Sequence, residues 1–449
     1  MSKLMASVAG VRGIVGDTFT PDVIVKYIAA FSKFCKPGKI IVGRDTRPSG
    51  KVISDIVCSV LNMCGRDVID LDIATTPTVA MGIKLYEAAG GIAITASHNP
   101  SEWNALKFMN YDTLFLNEEQ GAQLNIFLNQ DNPKYVGFEE IGKTELIIEE
   151  ARKYHIQQVL DIPYINKSDI RKKNFKVAID CVNGAGSVIL ADLLIDLGCS
   201  VAKINCTPNG IFPHGAEPLP ENLTEICEFI KDGNFDIGMV VDPDSDRLAL
   251  ISDAGVPLGE EYTLAMVADL LLEKINTDIV INVSTSRVVE DIATKNYKKT
   301  FRTKVGEINV STEMLKRDCK IGGEGNGGII LPEIHPGRDA LVGAGLILQY
   351  LYEKNDFVTN LFNKLPQYVI VKDKISVENI DFDERMEKIL EDEDLKNIND
   401  IDGIKIDHED YWVQLRKSNT EPIVRIFAEA KTKEKADEIV KIYKDKLIG

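Results

Sequence analysis

A serine on a tight turn carries the clearest chemical signal in this chain. Ser97 lies in the segment Thr95-Ala96-Ser97-His98-Asn99-Pro100, directly after the short apolar run Gly91–Thr95. The run predicts a buried strand, and catalytic groups in α/β sheets commonly lie on the turn where such a strand ends. With His98 and Lys107 close by, the serine is typical of a nucleophile or a phosphate carrier. The alternative is a capping serine in an ordinary loop.

Three aspartates follow a second apolar run, 235–241, in the segment Asp242-Pro243-Asp244-Ser245-Asp246-Arg247. Residues two apart in extended chain point to one side, so the three carboxylates converge and repel one another unless a cation lies among them. Hard oxygen ligands of this kind suit Mg²⁺. An EF-hand is excluded because Arg247 stands where that loop needs glycine, and its twelfth position is not glutamate. A solvated acidic turn without metal is the alternative.

A glycine-rich segment, 322–328, precedes the apolar run Ile329–Leu331. A dinucleotide site needs a strand before its glycines and a helix after them, so this order excludes one. Glycines also let a backbone approach a ligand, and Glu324 and Asn326 can hydrogen-bond to hydroxyl groups. The segment is therefore a candidate sugar-binding loop, with a plain glycine hairpin as the alternative.

A second polar loop, Arg416-Lys417-Ser418-Asn419-Thr420-Glu421-Pro422, precedes the last predicted strand. Its guanidinium, hydroxyl, amide and backbone N–H groups make a plausible phosphate clamp. A polar surface loop without a ligand is the alternative.

Composition limits the classes of protein that the chain can belong to. Its 449 residues predict three or four domains, and its net charge of −17 argues against a nucleic-acid partner or an anionic membrane surface. A small anionic substrate needs only local positive charge. No apolar run approaches 18 residues and the N-terminus lacks a signal sequence, so we expect a cytoplasmic protein. Eight cysteines without a Cys-x-x-Cys pair predict buried free thiols in a reducing compartment.

The elements that must position these residues repeat along the chain. An apolar strand, a polar turn and a helix recur at 39–63, 176–197 and 279–294, which predicts successive α/β domains. In the second copy, the helix is expected to begin at Gly184-Ala185-Gly186. The last segment predicts a strand at 421–430 and a helix capped by Thr432, as in a smaller α+β domain. The expected domains are 1–165, 166–255, 256–366 and 367–449.

Taken in order, the serine segment, the Asp242–Arg247 segment, Gly323-Glu324 and the Arg416–Pro422 loop resemble the α-D-phosphohexomutases. This family includes phosphoglucomutase, phosphomannomutase and phosphoglucosamine mutase. The resemblance covers the whole chain. It implies an α/β protein of three similar domains with mixed sheets and a smaller C-terminal α+β domain around a central cleft. The implied reaction interconverts hexose 1-phosphates and 6-phosphates through a phosphoserine and a bisphosphorylated sugar.

The resemblance also implies a role for each matching residue. Ser97 would carry the phosphoryl group and would bind one Mg²⁺ together with the three aspartates. A hexose 1,6-bisphosphate would serve as activator, and the enzyme would act on a small sugar phosphate as a monomer or homodimer. The general base would be Lys107 or His98. The remaining matches are active-site cations at Arg12, Lys107 and Arg247, a sugar ligand at Glu324, and phosphate ligands at Arg416, Ser418, Asn419 and Thr420.

One departure from the family pattern concerns the sugar loop. Many members read Gly-Glu-x-Ser-Gly-His, whereas Asn326 and Gly328 stand here in place of the serine and the histidine. His335 is a candidate substitute for the missing histidine. The departure leaves the preferred sugar open. Two other functions also stay open: a metal-dependent phosphatase that uses Ser97 as a transient carrier, and a non-catalytic sensor of sugar phosphates.

Overall fold

The computed structural model describes residues 4–130, 134–376, 382–391, 393, 397–417 and 423–448. Four sheets follow one another along the chain. The first has seven strands in the order β1-β2-β6-β5-β3-β4-β7, with β3, β4, β5 and β7 parallel and the other pairs antiparallel. Its elements are β1 (Met5–Ser7), β2 (Gly10–Ile14), α1 (Pro21–Phe34), β3 (Ile40–Arg44), α2 (Gly50–Met63), β4 (Val68–Ile73), α3 (Thr76–Leu85), β5 (Gly90–Ile94), β6 (Trp103–Asn110), α4 (Glu118–Leu128) and β7 (Thr144–Leu146).

The second sheet has four strands in the order β11-β10-β8-β9, of which only the β10–β11 pair is antiparallel. β10 is a fully buried apolar run, as the sequence predicts. The elements are α5 (Glu149–Leu160), α6 (Lys167–Lys173), β8 (Lys176–Asp180), α7 (Leu190–Asp196), β9 (Ser200–Ile204), α8 (Thr224–Asp232), β10 (Ile237–Val241) and β11 (Leu248–Ile251).

The third sheet is also mixed, with five strands in the order β13-β12-β14-β15-β16. Its helices α9 and α12 are buried on nearly every face and form the centre of a large core that the second and third sheets share. The elements are α9 (Glu261–Lys274), β12 (Ile279–Asn282), α10 (Val288–Lys295), β13 (Thr300–Thr303), α11 (Glu307–Arg317), β14 (Ile321–Glu324), β15 (Gly328–Leu331), β16 (His335–Arg338), α12 (Ala340–Lys354) and α13 (Val358–Lys364).

The last sheet is antiparallel, in the order β17-β21-β20-β19-β18, and α15 packs its apolar stripe on it over a separate core. The Thr432 hydroxyl accepts a hydrogen bond from the N–H of Lys435, so the predicted helix cap is confirmed. The elements are β17 (Val369–Ser376), α14 (Phe382–Glu391), β18 (Ile398–Asn399), β19 (Ile404–Asp407), β20 (Tyr411–Lys417), β21 (Ile423–Ala430) and α15 (Lys433–Ile448).

The predicted architecture of three α/β domains with mixed sheets and a smaller C-terminal α+β domain is confirmed. The exact boundaries between the domains stay predictions. All eight cysteines are free, and all but Cys64 and Cys206 are buried. Within the described ranges, no helix combines the length and the apolar character that a membrane crossing needs.

The prediction that a helix begins at Gly184 is wrong. A 3₁₀ turn occupies residues Ala185–Val188, and α7 begins only at Leu190. The turn lies against the loop that follows β10: a Cβ on Gly186 would come within 2.7 Å of the Ser245 hydroxyl. These glycines therefore provide room for a neighbouring loop and do not open a helix.

Residues from distant parts of the chain meet in a buried polar cluster. His155 and His335 both hydrogen-bond through Nε2 to Oδ2 of Asp339, at 2.8 and 3.1 Å. The other oxygen of Asp339 caps α12, and Nδ1 of His155 contacts the Thr78 hydroxyl at 3.0 Å. The cluster therefore joins α3 of the first domain to α5 and to the third domain.

The fourth domain contacts the third around a buried lysine. Lys405 is completely buried, and its ammonium has no hydrogen-bond partner among the described residues. It lies 4.4 Å from the centre of the Trp412 ring and 3.7 Å from Oδ1 of Asp407. Burial, and then the charge of Arg302 in the third domain, lower the pKa of Lys405 to about 7.

This lowered pKa predicts a pH-dependent stability. An unfolded lysine titrates near pH 10.4, so between pH 7 and about 10 the unfolded chain binds a proton that the folded chain does not. Stability should therefore rise with pH across this interval. Replacing Lys405 by methionine removes the buried charge and should stabilise the protein by about 1–3 kcal/mol below pH 7, with a smaller gain at pH 9.

Denaturant unfolding of Lys405→Met at pH 6, 7.5 and 9 measures this difference. Lys431→Met is the control, because Lys431 is exposed in the same domain and should give a small, pH-independent change. Destabilisation of Lys405→Met at pH 6 would contradict the prediction.

Candidate functional site

Hydrogen bonds from a buried arginine stabilise the turn that contains Ser97. Ser97 follows β5 with a left-handed backbone (φ +50°), and its N–H donates to the Thr95 hydroxyl. The guanidinium of Arg47 donates to the carbonyl oxygens of Ser97 and Asn99, both at 2.6 Å. Arg47 is itself buried and paired with Asp45 at 3.0 Å. The rare backbone conformation of Ser97 is therefore fixed by a buried ion pair.

The acidic triad, Asp242, Asp244 and Asp246, is buried, and one oxygen of each carboxylate lies within 4.8 Å of the others. The Ser97 hydroxyl donates to Oδ2 of Asp242 at 2.9 Å. The serine turn and the triad are thus one site.

In each of the other two triad carboxylates, Asp244 and Asp246, hydrogen bonds from neighbouring side chains hold one of the two oxygens. Oδ2 of Asp244 accepts from Lys107 at 2.6 Å and from the Thr76 hydroxyl at 2.7 Å. Oδ2 of Asp246 accepts from Arg338 at 2.6 Å. Neither Oδ1 atom has a hydrogen-bond partner among the described residues, and Nε of Arg247 lies 3.8 Å from Oδ1 of Asp246. Two buried carboxylate oxygens that lack hydrogen bonds, beside a serine hydroxyl, suit a cation-binding site.

The electrostatics of the triad favour the same conclusion. Burial, followed by the charges of Asp246 and Asp244, raises the pKa of Asp242 well above its ordinary value. Burial also opposes ionisation of Asp244, but the charge of Lys107 and hydrogen bonds from Asp242, Lys107 and Thr76 hold its pKa below the usual range. A cation entering the triad would offset this repulsion and lower the pKa of Asp242.

A cavity of about 240 Å³ opens beside Ser97. Positively charged side chains line it, as expected of a site that binds phosphates. Burial lowers the pKa of His98 to about 4, and the charge of Arg247 adds to this effect, so the imidazole is neutral at pH 7. Its Nδ1 lies 3.4 Å from the Ser97 hydroxyl oxygen. The ionisable residues that line the cavity are Arg12, His98, Lys107, Arg247, Glu307 and Arg338.

The cavity brings together the five predicted catalytic residues, Ser97, His98, Lys107, Arg12 and Arg247. These residues reach it from two domains. Arg12 from β2 donates to the Asn99 side chain at 3.0 Å, and Arg247 is paired with Glu217 at 2.8 Å.

The predicted sugar ligands lie outside the lining of this cavity. Glu324 accepts hydrogen bonds from Asn282 at 2.8 Å and from the N–H of Gly306 at 2.9 Å, and its other oxygen is paired with Arg338. Oδ1 of Asn326 accepts from the N–H of Gly328 at 3.2 Å. Contacts of these residues with a sugar stay predictions.

The phosphate loop is described only in part. Arg416, near the end of β20, is paired with Asp402 at 2.8 Å. Asp402 also accepts from the N–H of Val305 in the third domain at 3.0 Å. Ser418, Asn419 and Thr420 lie outside the described residues.

His335 does not lie where a substitute for the missing family histidine would be needed. Its Nε2 is bound to Asp339 and its Nδ1 accepts from the N–H of Gly337, and its ring is buried away from the cavity lining. The geometry therefore assigns it to the packing of α12.

The sequence interpretation missed several residues of the site. Arg338 lies three residues after His335, within the segment that drew attention to the histidine, but nothing in its spacing marks it as a partner of Asp246. Thr76 is 168 residues from Asp244 in sequence and looks like an ordinary residue at a helix start. Glu307, whose pKa burial raises to about 7, begins a helix, as many surface glutamates do.

Family models match the chain in four consecutive pieces. They describe phosphoglucomutase/phosphomannomutase alpha/beta/alpha domain I at residues 4–133, domain II at 153–255, domain III at 259–368, and the C-terminal domain at 369–445.

Whole proteins match over their full length as well. A phosphoglucomutase/phosphomannomutase of Thermococcus kodakarensis is 37% identical over 98% of both chains. A phosphoglucosamine/phosphogalactosamine mutase of Sulfurisphaera tokodaii is 32% identical over the same share of each. The crystal structure of a family protein from Burkholderia thailandensis covers 99% of this chain and 98% of its own, with a TM-score of 0.84 and 22% identity, and so shows the fold. The chain belongs to the phosphoglucomutase/phosphomannomutase family of hexose phosphate mutases.

Proposed function

We propose that this hexose phosphate mutase works through Ser97, which as a phosphoserine passes its phosphoryl group to a hydroxyl of a hexose monophosphate. The phosphorus–oxygen bond to Ser97 breaks as one to the sugar oxygen forms, and the hydroxyl proton passes to a base. The bisphosphorylated sugar then turns over in the cleft, and its other phosphoryl group returns to Ser97. A hexose 1,6-bisphosphate would phosphorylate the resting serine.

One observation carries the proposal. The Ser97 hydroxyl and Oδ2 of Asp242, 145 residues apart in sequence, are hydrogen-bonded at 2.9 Å beside a cation-lined cavity. Phosphoryl transfer depends mainly on positioning and on neutralising charge, and both requirements meet at this serine. Arg12, Lys107 and Arg247 would hold the anionic oxygens of the phosphates.

The triad and the phosphoserine would hold one Mg²⁺. When bound, this ion supplies charge neutralisation at the phosphoryl oxygens and polarises the phosphoryl group. Lys107 and Thr76 fix Asp244 from outside, so its second oxygen is oriented in advance.

The candidates for the proton acceptor are His98 and Lys107. His98 is neutral and lies next to the Ser97 hydroxyl, which suits a base. The ammonium of Lys107 donates to Asp244, so it serves better as a fixed charge. Glu324 would bind a sugar hydroxyl, and Arg416 with the loop after it would hold the phosphate that is not transferred.

The reaction can be followed by phosphorus NMR. The purified protein receives Mg²⁺, a trace of glucose 1,6-bisphosphate and, in separate samples, the 1-phosphates of glucose, mannose, glucosamine and galactosamine. We expect conversion to a 6-phosphate, and Ser97→Ala should slow it by about 10⁴-fold or more, because the hydroxyl that carries the phosphoryl group is gone.

Ser101→Ala is the matched control, since Ser101 is exposed in the same loop and should keep full activity. Release of free phosphate without a 6-phosphate would support the phosphatase instead. Binding of sugar phosphate without turnover of any sugar would support the sensor.

Metal removal gives a second prediction. Mg²⁺ at 100 times its dissociation constant should stabilise the folded protein by about 2.7 kcal/mol, and EDTA should abolish activity. Asp242→Asn should lose the Mg²⁺ response, yet in EDTA it should be at least as stable as the wild type because one of three repelling carboxylates is gone.

Thermal unfolding with EDTA and with Mg²⁺ measures both effects. Asp232→Asn, an exposed carboxylate of the same domain, should keep the full response. A wild type whose Tm ignores Mg²⁺ would count against the metal site.

A further inference from the structure

We propose that Arg338 is a positioning residue that joins the metal-binding triad to the sugar loop, and that its place in the site depends on the glycine at position 328. This inference rests on the proposed function, because it assigns a role within the same site.

Arg338 ends β16 and reaches three carboxylates with its guanidinium. Nη2 lies 2.6 Å from Asp246, Nη1 lies 2.8 Å from Glu324, and Nε lies 3.0 Å from Glu307. Its side chain is 11% exposed and lines the cavity beside Ser97. A planar fork with several donors is suited to holding carboxylates from separate loops in one plane.

The path of Arg338 crosses the position where residue 328 would carry a side chain. A Cβ built on Gly328 would lie 2.2 Å from Cδ and 2.8 Å from Cγ of Arg338. Those atoms can move aside only if the three ion pairs that hold the guanidinium beyond them are disturbed. The backbone of Gly328 is not left-handed, so the need for glycine here is spatial and not conformational.

This contact accounts for the departure from the family pattern in the sugar loop. Position 328 is where many family members have histidine, and a histidine here could not coexist with Arg338 in its present place. The polar side chain at this place in the site is therefore that of Arg338 in β16, and not that of residue 328 in β15.

The replacement changes the chemistry available. Burial opposes the charge of Arg338, but Asp246, Glu324 and Glu307 outweigh it and raise its pKa, so it remains a cation. A permanent cation cannot exchange protons with substrate. Its role is to fix Oδ2 of Asp246, which leaves Oδ1 for the metal, and to fix Oε2 of Glu324 in the sugar loop.

A double-substitution cycle tests the dependence. Gly328→Ala should lower kcat/KM by about 10- to 100-fold, because the methyl group displaces Arg338, and Arg338→Ala should lower it by about 100-fold or more. The double variant should match Arg338→Ala within about threefold, since the displaced side chain is already gone. Gly137→Ala is the control, because a Cβ there meets no atom within 4 Å.

Losses that multiply in the double variant, or a Gly328→Ala enzyme with unchanged kcat/KM, would overturn the proposal. If Gly328→Ala fails to fold, recovery of folding on adding Arg338→Ala supports it, and failure to recover overturns it.

Mg²⁺ binding by calorimetry separates a positioning role from simple packing. Arg338→Lys, which keeps the charge and loses the fork, should weaken Mg²⁺ binding and raise KM while its Tm in EDTA stays close to that of the wild type. Unchanged Mg²⁺ affinity and KM in this variant would overturn the proposal.

The same measurement separates this inference from the proposed function. A wild type without mutase activity whose Mg²⁺ affinity still shows the non-additive cycle would refute the function and keep the link between Arg338 and Gly328. A wild type with mutase activity whose cycle is additive would support the proposed function and refute the link between Arg338 and Gly328.

Discussion

Three buried carboxylates within five consecutive residues set the constraint on which the rest of this structure depends. Like charges this close, away from water, are strongly unfavourable unless other groups compensate them. Arg247 of the same domain lies 3.8 Å from Asp246 and supplies part of the compensation. The rest comes from other domains: Lys107 and the hydroxyls of Thr76 and Ser97 belong to the first, and Arg338 belongs to the third. The packing of the three domains against one another therefore also determines the geometry of the site.

The repeated architecture explains how these groups reach one place. Ser97 follows β5, Asp242 follows β10 and Glu324 ends β14, and each of these strands has a parallel neighbour in its sheet. The carboxyl ends of such strands are where α/β proteins bind ligands. Three domains turned toward one another at these ends produce a shared cavity. Arg416 of the fourth domain is not part of its lining and is paired with Asp402.

Local sequence patterns predicted the parts of the site that depend on local geometry. The run of apolar residues before Ser97 and before Asp242 identified both strand ends, because a buried strand leaves a strong signal. The spacing of the aspartates likewise predicted their convergence. That the serine turn and Arg247 share one cavity followed from the family resemblance, since no short-range pattern carries information on how domains pack.

The residues that sequence reasoning missed act over long separations. Thr76 and Arg47 have ordinary positions in their own segments, and only the folded chain shows that one holds Asp244 and the other holds the serine turn. The wrong helix start at Gly184 has a similar cause: the glycines suggested a helix opening, but their smallness serves the approach of Ser245. Tertiary contact decided each case, and local propensity could not reveal it.

The dependence of the acidic triad on partners from both sides also bears on how the protein is made. Lys107 precedes Asp244 by 137 residues, whereas Arg338 follows Asp246 by 92. A ribosome synthesising this chain therefore completes the first partner early and the second late. Until Arg338 has been synthesised, the acidic loop therefore lacks one of the cations that pair with Asp246 in the folded protein.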